Sequence, residues 1–481
     1  MTTLPDITAF QNQPPLYGLL QTLIERIEAL EQDNARFREE NIQLRARLNQ
    51  NSTNSHKPPS SDGLGKRAIK NNRKKTQKRP GAQPGHAGTT LQAVAHPDEQ
   101  VLHRHRQCRH CGWSLDEVAV TIEQRRQVFE LPPLRLSVTE HLVEGKRCPD
   151  CHQLSYAQCR YEQPVQYGER LKALSLYLRQ VHYLSYDRTQ QFFAELFGVP
   201  LSDGVLFEAE QTAHAALEPF EQQVKDHLLA SPVLHADETG MRAVGKTHWV
   251  HVVSNGAYTF YGFHGKRGSK AHQAQDLLPQ YAGTLVHDRY VSYDQHDYRH
   301  SLCNAHLLRD LKYVHEEAGK PWAGEMIEVL LAMKRQSETQ QPDPVQVKRL
   351  VGCYRQVLAR GLAEESRLGR LERAPPRKKR GRPKRSTSLR LLEMFRDRQA
   401  DVLRFLHEPL VPFDNNQAER DVRMVKLKQK VSGCFRSESG GERFCRFRSY
   451  VSTCQKQGVA ILGAIERALQ GQPHLFIPQS G

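Results

Sequence analysis

The chain has 481 residues, of which 38% are hydrophobic and 25% are charged, and its formal net charge is +16. This composition is typical of a soluble globular protein with polar segments attached, and it excludes a wholly disordered chain. No stretch approaches the roughly 18 consecutive apolar residues of a membrane helix, and the N-terminus lacks the order of a signal peptide, so we expect a cytoplasmic protein.

The first predicted element is a coiled-coil helix within residues 1–50. Its heptad places Leu20, Ile27, Asn34, Asn41 and Leu48 at a, and Leu23, Leu30, Phe37 and Leu44 at d. Leucine at d with asparagine at a is typical of a parallel two-stranded coiled coil, in which the buried amide fixes the register. We therefore expect a homo-oligomer, at least a dimer. The alternative is a long helix packed on its own chain.

Residues 51–95 are a predicted basic, disordered linker. The segment from residue 57 to residue 79 carries nine lysines and arginines against one acid, Asp62. Such a block favours a polyanion, usually nucleic acid, although a solvated tail is the alternative.

Residues 96–160 contain two Cys-x-x-Cys pairs, Cys108/Cys111 and Cys148/Cys151, separated by 36 residues with strand-like alternation between them. Two such pairs can supply the four sulfur ligands of a tetrahedral zinc site. The pattern predicts a zinc ribbon with a structural Zn²⁺, because four sulfurs leave no open coordination position. The alternatives are a redox dithiol and unliganded thiols.

Residues 161–230 are predicted to be helical. One helix ends near Gly198, a short turn contains Pro200, and a second helix begins with Ser202 as a plausible N-cap. This outline is typical of a helix-turn-helix, which either reads DNA or is plain helix packing.

Residues 231–310 change to strand-like segments. An apolar run ends at Asp237, two further runs are joined at a hairpin, a helix closes at Gly283, and another run ends at Asp288. A hairpin followed by a helical crossover to further strands is the order of a ribonuclease H-like core. In that arrangement Asp237 and Asp288 lie at the ends of adjacent strands, and Glu419 joins them from a later helix.

Three carboxylates together can bind the metal ions of a phosphodiester-cleaving site. Phosphodiester cleavage and transfer are served by two Mg²⁺ ions about 3.5–4 Å apart, and Mg²⁺ prefers hard oxygen ligands. Each acid also has an alternative role that does not involve a metal. Asp237 is followed by Glu238, whose side chain a strand directs to the other face, so one of the two could be a surface acid. Asp294 is a rival to Asp288 as the second acid. Glu419 stands three residues after Asn416, where a capping glutamate belongs, and Arg423 lies one turn further on.

The last part of the chain is predicted to complete the core. Residues 311–404 form a helical, basic insertion, residues 405–455 contain the Glu419 helix, and residues 456–481 form a C-terminal helix and tail. In the insertion, Arg380 and Arg382 flank Gly381 in a segment that resembles an AT-hook, for which a loop that binds phosphates is the alternative. On the Glu419 helix, Arg423, Lys426 and Lys430 share one face and are candidate DNA contacts.

Nearly the whole chain, in order, resembles the insertion-sequence transposases of the IS66 type. The resemblance rests on the zipper, "NSTNSHKPPSSDG", the four-cysteine ribbon, "HADET", "HDRYVSYD", "CNAH" and "DNNQAERDVRMVKLKQKVSGCFRS". It implies that Asp237, Asp288 and Glu419 are a DDE triad that holds two Mg²⁺ ions, with Mn²⁺ as an alternative. Cys303 and His306 match a short motif of several such families, and their role stays open.

The resemblance implies a multidomain α/β protein with an RNase H-like core, acting in the cytoplasm at the bacterial nucleoid. Such a protein binds the element's terminal inverted repeats, cleaves them and transfers the 3′-OH ends into target DNA. Accessory transposition proteins are further candidate partners. Two other functions stay open: a zinc-ribbon DNA-binding regulator with an inactive nuclease-like domain, and a structure-specific nuclease.

Overall fold

The computed structural model describes residues 14–48, 85, 88, 90–121, 124–339, 341–371 and 386–475. The predicted basic run and the AT-hook arginines Arg380 and Arg382 lie outside these residues. The chain separates into two compact units. One comprises residues 1–67, 161–192 and 200–481, and the other comprises residues 68–160 and 193–199.

The described α-helices follow the chain in this order: α1 Pro14–Leu48, α2 Glu169–Gln180, α3 Tyr186–Phe197, α4 Asp203–Ala216, α5 Glu218–Leu229, α6 Ser269–Gln275, α7 Asn304–Ala318, α8 Pro321–Ser337, α9 Pro344–Leu371, α10 Thr387–Asp397, α11 Gln399–His407, α12 Asn416–Ser432, α13 Glu438–Lys456 and α14 Ile461–Leu469. The strands are β1 Gly145–Arg147, β2 Leu154–Tyr156, β3 Val233–Ala243, β4 Lys246–Ser254, β5 Thr259–His264, β6 Thr284–His287 and β7 Arg299–Leu302. The predicted mixed α/β class is therefore confirmed.

The larger unit is built on a five-stranded mixed sheet with the strand order β5-β4-β3-β6-β7. The predicted hairpin pairs β4 with β5 in antiparallel register, and β3 is antiparallel to β4. On its other side β3 is parallel to β6, and β6 is parallel to β7. The parallel pair β3 and β6 is joined by a crossover that includes α6, as a parallel connection requires.

Strand β3 is longer than the sequence predicts. The apolar run in the sequence stops at Asp237, yet the strand continues to Ala243 because its last residues pair with the first half of β4. Val244 and Gly245 close this hairpin with positive φ values of 49° and 70°. Two such residues are typical of a type I′ turn, which matches the twist of the strands. Asp237 therefore lies within β3 and not at its end.

Helices cover both faces of the sheet. Alternate residues of β3 point to opposite faces, so Leu234 and Ala236 join a core with α4, α5, α13 and α14, whereas Met241 and Ala243 join a core with α12. A third core packs β6 and β7 against α7, α8, α9, α10 and α11. The helices packed on both faces hold the ends of the strands and the first turn of α12 in place.

The smaller unit carries the paired cysteines and one short antiparallel ribbon, in which Gly145 pairs with Tyr156 and Arg147 with Leu154. The strand-like alternation between the two cysteine pairs predicts more than this. In the described residues of that segment, the only strand is the three-residue β1.

The predicted second helix of the helix-turn-helix outline is confirmed. Ser202 is the N-cap of α4, and its side chain accepts a hydrogen bond of 3.3 Å from the Val205 amide. Helix α6 is shorter than predicted, because Asp276 adopts a left-handed conformation that ends it well before Gly283. Among the described residues, no helix is both long enough and apolar enough to cross a membrane.

Candidate active site

Asp237 and Asp288 lie on neighbouring parallel strands. In the β3–β6 register His235 is the partner of Val286, and each aspartate comes two residues later on its own strand. The two aspartates are therefore at equivalent positions on neighbouring strands, beside the C-terminal end of β6. Neighbouring strands are about 4.8 Å apart, so the two residues are close together. The predicted adjacency of the two strands is confirmed, with the difference that Asp237 is internal to β3.

Asp288 immediately follows β6 and is half-buried. One oxygen of its carboxylate accepts a hydrogen bond of 2.8 Å from the Tyr290 amide. This short turn fixes the direction of the carboxylate and leaves its second oxygen available to a ligand.

Glu419 lies in the first turn of α12, but it is not a capping residue. Asn415 is the N-cap and Asn416 is the first helical residue, so Glu419 falls one position beyond that of a capping glutamate. The Asn416 amide donates to the carboxylate of Asp414 at 3.1 Å. The alternative in which Glu419 folds back onto that amide is therefore wrong.

The Glu419 carboxylate instead points towards α7. Its Oε1 atom lies 3.8 Å from His306 Nε2 and 4.0 Å from an Arg309 guanidinium nitrogen. Oε1 is buried, and no residue that the structure describes donates a hydrogen bond to it. A buried carboxylate oxygen without a donor is costly unless a cation completes it.

The charges of Asp288 and Glu419 both act on Asp237. Burial raises the pKa of Asp237 well above its ordinary value, and the negative charges of Glu238, Asp288 and Glu419 raise it further. The cationic groups beside Glu419, on His306 and Arg309, lie only within 3.8 and 4.0 Å of it, and the donors of the three acids are all hard oxygens. Both properties fit a magnesium site.

Glu238 is neither a surface acid nor a free ligand. Its side chain is buried on the opposite face of β3 from Asp237, where Arg267 donates to Oε1 at 2.7 and 2.9 Å. The Tyr293 hydroxyl donates to the other oxygen at 2.6 Å. Burial and the charge of Asp288 raise the Glu238 pKa, and Tyr293 and Arg267 oppose this. Both oxygens of Glu238 are therefore already engaged.

Asn415 is a residue beside the candidate site that the sequence reasoning missed. Its side-chain amide donates to the Ala236 carbonyl at 2.7 Å, and its carbonyl oxygen lies 2.9 Å from His235 Nδ1. Both contacts are on β3 next to Asp237. Asn415 thus fastens the start of α12 to that strand, four residues before Glu419. The asparagine doublet in "DNN" is a visible signal, but nothing local distinguishes the two asparagines.

Comparison with known proteins places this arrangement in a family. The family model described as "Transposase IS66 family" matches residues 164–443, which is more than half of the chain and includes Asp237, Asp288 and Glu419. The chain belongs to the IS66 transposase family. Residues 11–92 match a second model, which describes a family of unknown function. An uncharacterised protein, y4hP, of Sinorhizobium fredii (strain NBRC 101917 / NGR234) is 24% identical over 392 residues, covering 72% of this chain and 67% of the relative.

Asp294, the rival second acid of this IS66-family protein, has an ion-pair partner of its own. It is exposed, and its carboxylate accepts from the Arg398 guanidinium at 2.7 Å. The charges that act on Asp237 are those of Glu238, Asp288 and Glu419. Asp288 is therefore the better candidate.

The candidate DNA contacts on α12 differ from one another. Arg423 and Lys430 are exposed, whereas Lys426 is half-buried. Lys426 Nζ donates to the Gly240 carbonyl of β3 at 2.7 Å, and burial lowers its pKa. Lys426 therefore has a structural partner already.

Each cysteine pair forms a similar turn. The Gly112 amide donates to the Cys108 carbonyl at 2.9 Å, and the His152 amide donates to the Cys148 carbonyl at 3.0 Å. Hydrogen bonds, led by those from nearby backbone amides, lower the pKa of both Cys108 and Cys148, as a thiolate ligand requires.

The four sulfurs are not gathered into one site. Among the described residues, the groups of three or more possible ligands within 4.8 Å of one another are His287–Asp294–His300 and Cys303–His306–Glu419. The zinc site at Cys108, Cys111, Cys148 and Cys151 therefore stays a prediction.

Proposed function

We propose that this protein is a metal-dependent DNA transposase that uses Asp237, Asp288 and Glu419 to cleave the ends of its element and to join them to target DNA. The observation that carries the proposal is the placement of the acids: Asp237 and Asp288 occupy equivalent positions on neighbouring parallel strands, and Glu419 lies in the first turn of the helix that packs on β3. Acids anchored on rigid elements can hold a catalytic geometry that loops cannot.

The topology supports an RNase H-like core. Three strands in antiparallel contact are followed by two parallel ones, and helices cover both faces. This is the order that the sequence predicts for such a core, with the first two acids at neighbouring strand positions.

Asp237, Asp288 and Glu419 would hold the Mg²⁺ ions. When bound, the ions supply Lewis acidity at the scissile phosphate. The chain's own residues do the positioning. Arg267 and Tyr293 occupy both oxygens of Glu238 and so keep that acid out of the ligand set. The packing of α12 on β3 and β4 fixes the distance of Glu419 from the sheet.

Self-association through α1 is part of the proposal. The helix contacts α7 within the same unit, yet its apolar seam is largely unburied. The exposed fractions are 50% for Leu23, 43% for Ile27, 55% for Leu30 and 54% for Phe37. A seam of this kind is buried when two copies of the helix form the predicted coiled coil.

DNA binding is assigned to the exposed cations of the chain. Arg423 and Lys430 follow Glu419 on α12 and are free to reach phosphates beside the acids. The helix-turn-helix outline and the zinc ribbon are further candidate DNA-binding parts.

Alanine substitutions on α12 should separate residues that bind DNA from a residue that stabilises the fold. Arg423→Ala or Lys430→Ala should weaken DNA binding at every sequence and reduce the slope of log affinity against log salt by about 1 each. Lys426→Ala should instead lower the free energy of unfolding by about 1–3 kcal/mol, because it leaves the Gly240 carbonyl without its donor. Fluorescence anisotropy at several salt concentrations, with thermal melts beside it, measures both effects. An unchanged salt slope for both Arg423→Ala and Lys430→Ala would contradict the assignment.

The decisive experiment is cleavage and joining of labelled element-end DNA. The proposal expects Mg²⁺-dependent nicking followed by transfer of the 3′-OH end to a second duplex, and loss of both in EDTA. Binding without cleavage would favour the regulator. Cleavage without joining would favour the structure-specific nuclease.

A further inference from the structure

Cys303 and His306 form a compact group with Glu419. Cys303 is the N-cap residue of α7 and His306 lies in the first turn of that helix. The Cys303 sulfur, a His306 ring nitrogen and a Glu419 carboxylate oxygen all lie within 4.8 Å of one another. A thiol, an imidazole and a carboxylate are the three side-chain types that bind zinc.

The backbone around Cys303 is arranged for a sulfur ligand. Burial raises the pKa of the Cys303 thiol to about 12, and hydrogen bonds from the Asn415 amide, which donates to the sulfur at 3.2 Å, and from the His306 amide oppose this rise. The Cys303 amide donates to the His287 carbonyl at 2.9 Å, which fixes the residue to the end of β6. The hydrogen bond from Asn415 and the anchored backbone hold the sulfur in a fixed position beside His306 and Glu419, where a bound cation would displace the thiol proton.

The Glu419 oxygen in this group lacks a hydrogen-bond donor among the described residues. Its nearest cationic groups, on His306 and Arg309, lie at 3.8 and 4.0 Å, which is beyond hydrogen-bonding distance. The side chain has an exposed fraction of 17%, so solvent offers little compensation. The unsatisfied Glu419 oxygen is therefore a second observation, besides the grouping of the three ligands, that points to a bound cation beside Cys303 and His306.

We propose that Cys303, His306 and Glu419 bind a thiophilic divalent cation, with Zn²⁺ as the expected ion and water as the fourth ligand. Sulfur and imidazole select zinc over Mg²⁺, which prefers oxygen. Zinc–ligand bonds of about 2.0–2.3 Å place the ligand atoms of a tetrahedral site roughly 3.3–3.8 Å apart, so the group needs only small side-chain movements. The thiol proton is released to solvent when the cation binds.

This site is distinct from the predicted four-cysteine zinc site and does not depend on the proposed catalysis. It shares Glu419 with the candidate Mg²⁺ site, but a carboxylate has two oxygens and one is enough for zinc. A bound zinc ion would fasten the first turn of α12 to the first turn of α7. It would thereby restrict the position of Glu419 relative to Asp237.

The test is the zinc content of the full-length protein after dialysis against a zinc buffer, measured by mass spectrometry of the metal. Cys303→Ser and His306→Asn should each lose one equivalent of zinc relative to the unsubstituted protein. The double variant Cys108→Ser, Cys148→Ser should retain that equivalent. Cys434→Ser, at an exposed cysteine, is the matched control and should bind as much zinc as the unsubstituted protein.

Cobalt gives a second readout. A Co²⁺–thiolate bond produces a charge-transfer absorption, and Cys303→Ser should remove part of it, whereas His306→Asn should change the ligand-field bands. If both variants are folded by circular dichroism and bind as much zinc as the unsubstituted protein, with unchanged cobalt spectra, the site does not exist. Asp237→Asn should leave the zinc content unchanged, so loss of catalysis and loss of zinc are separate results.

Discussion

Asp237→Asn should abolish DNA cleavage and strand transfer and at the same time make the metal-free protein more stable. The loss of activity should be about 10³-fold or more, because the metal's stabilisation of the transition state is worth several kcal/mol and each 1.36 kcal/mol is tenfold in rate. Binding to element-end DNA should be retained. Gel-based cleavage assays and thermal melts measure the two effects.

The gain in stability follows from the charges around Asp237. The folded protein raises the pKa of this carboxyl through burial and through Glu238, Asp288 and Glu419. A raised pKa in the folded state means that stability falls as the pH rises from about 4, the ordinary value, through the folded value. Asparagine removes this dependence. The variant should melt about 2–4 °C higher near neutral pH, equivalent to about 1 kcal/mol, and the difference should shrink towards pH 4.

Added Mg²⁺ should reverse the order of the two melting temperatures. The unsubstituted protein should gain thermal stability as Mg²⁺ is added, because a ligand that binds only the folded state stabilises it, and Asp237→Asn should gain less. Asp294→Asn is the matched control, since its carboxylate is exposed and pairs with Arg398. It should retain activity within about threefold. Activity in Asp237→Asn, or a lower melting temperature without metal at neutral pH, would contradict the assignment of this acid.

The sequence predicted the local features of the site better than its long-range contacts. The β4–β5 hairpin and the Ser202 cap depend on short patterns, and both are confirmed. The parallel adjacency of β3 and β6 is also confirmed, but it was predicted from the order of the elements along the chain. The extension of β3 beyond Asp237 depends on pairing with β4, which polar residues conceal. The local pattern also put the α12 N-cap one residue too late, at Asn416.

The supporting contacts could not be predicted because they join distant parts of the chain. Arg267 and Tyr293 reach Glu238 from 29 and 55 residues away. Asn415 reaches β3 across 179 residues. In the sequence these residues are ordinary polar positions. Only the fold shows that two of them occupy the oxygens of Glu238 and that the third attaches the start of α12 to β3.

Asn415→Ala should reduce catalysis through geometry alone. The substitution removes the donor to the Ala236 carbonyl and the acceptor beside His235, so α12 loses its side-chain attachment to β3. A displacement of about 1 Å at a catalytic group can cost about 10²-fold in rate, which is the expected decrease in kcat for cleavage. The buried carbonyl left unpaired should lower the free energy of unfolding by about 1–3 kcal/mol.

Asn416→Ala supplies the matched control for this experiment. The two asparagines are adjacent, but Asn416 is exposed, and only its backbone amide, which alanine retains, makes the contact to Asp414. This variant should keep its stability within about 0.5 kcal/mol and its activity within about threefold. The cleavage rate at saturating Mg²⁺ and the urea midpoint should both be measured. If Asn415→Ala cleaves at the unsubstituted rate, or if Asn416→Ala is the more damaged variant, then the side chain of Asn415 does not position Glu419.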